Sequence, residues 1–215
     1  MKGSIYKVLG VLLVLYSMIY GLLMDIPEDT FLEETIRNLF YHVSMWFAMM
    51  AMMGGSFWNA IRFLSTENVI LDRRSFCLAE MGMLFSFMGL LTGMMWAKFT
   101  WSTWWTNDPK LNGTAVTMLF YLAYFVLRNS IEDTRKKARI SAVFNIFAFV
   151  MMIVFVGILP RMTDSLHPGN GGNPGFNIYD SDHRLKIVFY PAVIGWILVG
   201  TWIASLRYRL KTLQE

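Results

Sequence analysis

Little in this chain of 215 residues can do chemistry. It has one cysteine, Cys77, and three histidines, and only 16% of its residues are charged. Each shortage excludes something. A lone cysteine forms no internal disulfide, and Cys77 reads as a small buried apolar residue. No Gly-x-Ser-x-Gly setting supports a hydrolase, and no glycine-rich phosphate loop occurs, so any nucleotide hydrolysis has to come from a partner. The net charge is +4, but the basic residues are spread along the connections rather than gathered in a patch, which points away from nucleic acid.

What the chain has instead is apolar length. Hydrophobic residues make up 55%, and a soluble domain carries roughly 25% charged residues. Six runs, near 5–24, 40–64, 76–97, 113–129, 140–159 and 187–206, each approach the roughly 20 residues that a bilayer crossing takes. The expectation is an all-α integral membrane protein, one domain over 1–215, with six transmembrane helices. The first run carries Lys2 and Lys7 at its start and no small-residue cleavage site follows it, so it reads as a retained helix. Thirteen of the nineteen Lys and Arg residues fall on one side of this arrangement and six on the other. The richer side is cytoplasmic by the positive-inside rule, which puts both termini inside. Residues 25–38, 98–112 and 160–186 then lie outside, with five of the six prolines. The first of these reads as a surface helix with Thr30 as its cap and Glu33 three positions on.

Within the runs, small residues mark helix contacts: Gly82, Gly89 and Gly93 in the third, and Ala48, Ala51, Gly55 and Asn59 along one face of the second. Glu80 is a carboxylate inside an apolar run. It has either a structural partner on a neighbouring helix or a transport role. The methionines read as packing.

Four tryptophans fall within ten residues, at 96, 101, 104 and 105. If 100–108 is helical, Trp101, Trp104, Trp105 and Asp108 share one face, a flat indole surface ending in a carboxylate and suited to a planar ligand. An interfacial aromatic belt is the competing reading. All three histidines, His42, His167 and His183, map to the same outer side. Two neutral imidazoles from opposite sides of a site are a usual way to hold haem iron. The spans hold no matched His pairs for an electron-carrying cytochrome, and no Cys-x-x-Cys-His occurs for covalent haem.

The tryptophan segment resembles the WWD signature of haem-handling proteins of cytochrome c maturation. The chain is most like the haem exporter protein C (CcmC) type, and a relative of the synthase-subunit (CcsA) type is the alternative. By position, the signature's indoles fall on Trp101, Trp104 and Trp105, its acid on Asp108, and its outer histidines on His42 and His167. Asn107 stands where a further Trp is usual, Ser102 where Gly is common, and Lys110 where the exporter type has Arg. The resemblance implies a haem chaperone of the bacterial inner membrane, with haem b bound non-covalently at the periplasmic face. Its iron would lie between His42 and His167 and its ring against the tryptophans. The implied partners are a periplasmic haem chaperone, ATP-driven transporter subunits and membrane lipid. Lys98, Lys110, Arg161, Arg184 and Lys186 are available to the propionates. Transport of haem or another solute through the bundle, with Glu80 and Asn59 as its features, and a purely structural subunit are the other classes. The assignment is an assembly factor rather than a conventional enzyme.

Overall fold

A computed structural model describes residues 2–26, 33–167 and 182–214, and every regular element among them is helical. The helices are α1 (Lys2–Leu23), α2 (Ser44–Thr66), α3 (Val69–Trp101), α4 (Pro109–Ser130), α5 (Thr134–Met152), the short α6 (Leu159–Met162) and α7 (His183–Gln214). A π-helical segment, Leu39–Val43, runs straight into α2, and another, Ile153–Ile158, joins α5 to α6. Each of the six apolar runs lies on one of these helical stretches. Of the surface helix expected over 25–38, residues 33–37 form a 3-10 turn, and 27–32 lie outside the described residues. The expected cap, Thr30, lies outside the described residues.

Five of these stretches are long and apolar enough to cross a membrane: Ser4–Leu23, Val69–Trp101, Pro109–Ser130, Thr134–Met162 and His183–Leu213. The remaining long helix, α2, has 23 residues and includes Ser44, Ser56, Asn59 and Arg62. It packs on α3, α5 and α7, where Ser56 meets Ser75 and Asn145, while Asn59 bonds back to Gly55 of its own helix and Arg62 stays exposed. Ala48, Met49, Met52 and Met53 on α2 join Met81, Phe85, Tyr121, Tyr124 and Met152 in the main core.

The α2–α3 hairpin is built on size complementarity. Glu67 ends α2 in the left-handed region, φ 50°, with its N–H on the Phe63 carbonyl, and Asn68 caps α3 by accepting from Ile70 N–H at 3.0 Å. The two helices then run antiparallel, with large side chains of one over glycines of the other. Met53 lies on Gly82, Trp46 on Gly89 and His42 on Gly93. A methyl carbon at those glycines would meet Met53 Sδ at 2.6 Å, Trp46 Cε2 at 3.0 Å and His42 Cε1 at 2.6 Å. The matched spacings, four and then seven residues in opposite directions, are those of neighbouring positions on one helix face. One turn beyond Met53, Ser56 and Ser75 each donate to the other's backbone carbonyl, at 2.7 and 2.9 Å. Asn145 of α5 donates its amide to both hydroxyls, at 2.8 and 2.9 Å. Three helices are thereby tied by hydrogen bonds that apolar surroundings strengthen.

At the 67–72 end, charges are paired. Arg128, in the last turn of α4, holds buried Asp72, in the first turn of α3, with two hydrogen bonds of 2.8 and 2.6 Å. Glu80 lies 2.8 Å from Arg207 and 3.7 Å from Lys211, both on α7. Glu67 takes Arg135 and Arg139 at 2.7 and 3.0 Å. Glu80 thus has the structural partner that an apolar-run carboxylate requires.

Candidate functional site

The other end of the bundle carries the tryptophans, and its geometry corrects one expectation. α3 stops at Trp101. Ser102 takes φ 60°, the left-handed conformation that closes a helix and is easiest for glycine. Lys98 Nζ caps the end by donating to the Ser102 carbonyl at 3.1 Å. Residues 102–108 form a turn, so Trp101, Trp104, Trp105 and Asp108 do not share a helical face. The helical spacing fails because the chain must reverse from α3 into α4 within these seven residues. Trp104 and Trp105 stand 53% and 38% exposed, while Trp101 turns inward.

Asp108 has a different position from the one its place after the indoles suggested. It is the N-cap of α4, accepting from Lys110 N–H at 2.8 Å ahead of Pro109 at the first helical position. It is also 1% exposed, because the segment after α6 closes over it. Ser165 Oγ and Leu166 N–H both donate to Oδ2 at 2.8 Å, and His167 Nδ1 lies 2.8 Å from Oδ1. That last distance is that of a charge-assisted hydrogen bond, although the ring does not point its N–H straight at the oxygen. Burial pushes the Asp108 carboxyl up, but the His167 contact and charge, the Ser165 hydroxyl and the Leu166 N–H outweigh it and hold it well below the usual carboxylate range. Asp108 is therefore the anchor that joins the start of α4 to the segment carrying His167.

His167 sits among the tryptophans nearer the helix. Its ring is 4.9 Å from that of Trp101, edge to face, and 5.8 Å from that of Trp96, centroid to centroid. His42 approaches the same end of α3 from the π-helical segment before α2. Its Nδ1 lies 2.8 Å from the Gly89 carbonyl and 3.3 Å from Thr92 Oγ1, and its ring rests on Gly93. A carbonyl can only accept, so Nδ1 carries the proton and Nε2 keeps its lone pair. That lone pair accepts the Trp46 indole N–H at 3.1 Å. His183 is exposed at the start of α7.

The sequence-expected residues therefore divide. His167, Trp101 and Asp108 are brought together at the end of α3, His42 rests on Gly93 about two turns back along the same helix, and Trp104 and Trp105 are exposed in the adjoining turn. Trp46, Gly89, Thr92 and Ser165 were not expected as site residues. The signal for Trp46 and Gly89 was present: His42 and Trp46 stand four apart, as do Gly89 and Gly93 on the partner helix. Ser165 carried no comparable pattern. Among the expected cations, Arg161 donates to the Gly157 carbonyl and Arg184 pairs with Asp182 at 2.9 Å.

The donor set has a definite chemistry. Metal-ligating histidines characteristically donate their second ring nitrogen to a carbonyl or carboxylate, which fixes the tautomer and raises basicity. His42 does the first with Gly89, and His167 is placed for the second with Asp108. Among the described residues no group of three His, Cys, Asp or Glu side chains gathers to hold an ion. Two imidazoles are the donor type that suits a metal bringing an equatorial ring of ligands with it, as haem iron does.

Comparison with known proteins identifies the family. Residues 3–210 match the family model described as heme exporter protein C. The heme exporter protein C of Haemophilus influenzae is 23% identical over 99% of this chain and 85% of its own length. That of Paracoccus denitrificans is 27% identical over 91% of this chain and 79% of its own. A cytochrome c biogenesis protein CcsA of Prochlorococcus marinus is 33% identical over 49% of this chain and 32% of that one. With nearly all of its length matched by the family model, the chain belongs to the heme exporter protein C family.

Proposed function

We propose that this chain handles haem in cytochrome c biogenesis, holding haem b non-covalently in transit and presenting it to a periplasmic haem chaperone. The observation that carries the reading is the pair of oriented imidazoles along the last turns of α3. His42 has Nδ1–H on a carbonyl, and His167 has Nδ1 beside a carboxylate. In this reading both ligate through Nε2, Trp96 and Trp101 pack beside His167, and exposed Trp104 and Trp105 offer indole surface to the cargo or to the accepting chaperone. The chain crosses the bacterial inner membrane six times, α2 included, with both termini cytoplasmic and the tryptophan end periplasmic. ATP-driven transporter subunits of the same assembly are its further partners. The alternative, passage of a solute through the bundle, loses its features. Glu80 is engaged by Arg207 and Lys211, and the Asn59 amide donates to the Gly55 carbonyl at 2.7 Å.

The test is the visible absorption of detergent-purified protein, with and without reductant. His42→Ala and His167→Ala should each remove an axial ligand and change the spectrum, and His183→Ala should leave it intact. Unchanged six-coordinate spectra for both of the first two variants would overturn the pairing. The membrane orientation has its own check, because a cysteine placed at Ser102 should label from the periplasmic side. Labelling from the cytoplasm would sink the reading as a whole.

A further inference from the structure

His42 is not a free ligand. Its Nδ1–H is committed to the Gly89 carbonyl, and its Nε2 lone pair, the one an iron would use, is committed to the Trp46 indole N–H at 3.1 Å. Trp46 lies one helical turn along from His42, edge to face with it at 5.7 Å and 86°. It is held there because Gly89 leaves the space: a methyl carbon at that glycine would meet Trp46 Cε2 and Cζ2 at 3.0 Å. The indole nitrogen can only donate, and Nε2 has one lone pair. The bond to Trp46 and a bond to a metal are therefore mutually exclusive.

We propose that Trp46 is a positioning residue that competes with the cargo's iron for His42 Nε2, capping the ligand when the site is empty and displacing the cargo as it leaves. The inference rests on His42 being an iron ligand, as argued above. A resident cofactor is served best by an uncommitted ligand. A site that must give its cargo up is served better by an internal group that takes the ligand back. Trp46 does this without moving His42, since Gly89, Thr92 and Gly93 hold the imidazole on α3 independently of the indole. Only a small turn of the indole, which sits partly exposed, is needed to open the coordination position.

The experiment titrates hemin into haem-free, full-length protein in detergent and follows the rate at which bound haem is lost to apomyoglobin. Two variants are compared with the natural protein. Trp46→Phe keeps the edge-to-face contact and removes the donor. Replacement of Trp46 by 3-benzothienylalanine keeps the bicyclic shape over Gly89 and exchanges only N–H for sulfur. Both should bind hemin more tightly and lose it more slowly, by roughly fivefold, the factor that one neutral hydrogen bond corresponds to. A residue that merely packs would show no change in the benzothienyl variant, and that result overturns the proposal. Weaker binding in both variants overturns it too, because the N–H would then support ligation rather than oppose it. His42→Ala run in parallel separates the two levels. If His42→Ala leaves the haem spectrum intact, the ligand assignment falls. If it changes the spectrum while the Trp46 variants match the natural protein, only the competition falls.

Discussion

The two ends of this bundle are built from the same helices and on opposite principles. At the 67–72 end, the acidic groups of α3 and the α2–α3 turn meet basic partners: Asp72 with Arg128, Glu80 with Arg207, Glu67 with Arg135 and Arg139. Short turns close the hairpins there, and each of the three acids lies on a different element from its partners. At the tryptophan end, one buried carboxylate, Asp108, gathers four groups from two chain segments, and imidazole and indole lie beside it. The first arrangement spends charge on rigidity. The second spends it on aiming a ring that is able to ligate.

The comparison breaks most readily at Arg128. Removing one member of a buried, bidentate pair leaves an uncompensated charge and costs about 3–5 kcal/mol. Arg128→Ala should therefore lower the thermal stability of the purified protein and its abundance in the membrane more than any change at the other end. Haem absorbance per mole of surviving folded protein should not move. A changed spectrum at equal folded protein would mean that the ends are coupled and that the division of labour is wrong.

How much of this was legible follows from where distance along the chain and distance in space coincide. The helices were readable because apolar runs of span length leave little choice. The glycine pairs in α3 were readable as contact points because small residues four apart face one way. Their partners were not, since the matching His42 and Trp46 lie in another helix and nothing in the sequence states the antiparallel register. The Asp72–Arg128 pair is hidden for the same reason, since its members stand 56 residues apart on different helices. Asp108 was picked out, but for the wrong geometry. Its neighbours Trp104 and Trp105 suggested a helical face, whereas Pro109 after an Asp is equally a helix start, and the turn at Ser102 made that reading the correct one.

Asp108 gives the second prediction. Asp108→Ala removes an N-cap, worth about 1 kcal/mol, and strands buried donors on Ser165 and Leu166, for a total of about 2–3 kcal/mol. The protein should still insert and accumulate. Covalent haem on a co-expressed periplasmic chaperone should fall more than tenfold at matched membrane levels, because His167 loses its anchor. The depressed titration of this carboxyl also sets a pH window. Its folded value lies below its unfolded value of about 3.9, so its contribution is complete above that pH and is lost as pH falls through the folded value. The stabilities of the natural protein and Asp108→Ala should converge in acid and separate above it. A constant gap down to low pH would mean that the cap, not the charge on His167, carries the effect.

The smallest expected effect on stability, and the sharpest on the meaning of the tryptophan end, comes from the exposed indoles. Trp104→Phe and Trp105→Phe alter surface side chains and should shift stability by no more than about 0.5 kcal/mol. Trp101→Phe touches the His167 ring, so it should also perturb the haem spectrum, which the other two should leave alone. If Trp104 and Trp105 are lipid anchors, phenylalanine serves nearly as well at the headgroup level and chaperone loading stays normal. If they present haem, the double variant keeps its spectrum and loses several-fold in transfer, a split between holding and delivering that a belt has no means to produce. Normal loading by both Asp108→Ala and the triple variant with Trp101 included would reduce the whole segment to a belt and leave the two ends of the bundle with no functional difference to explain.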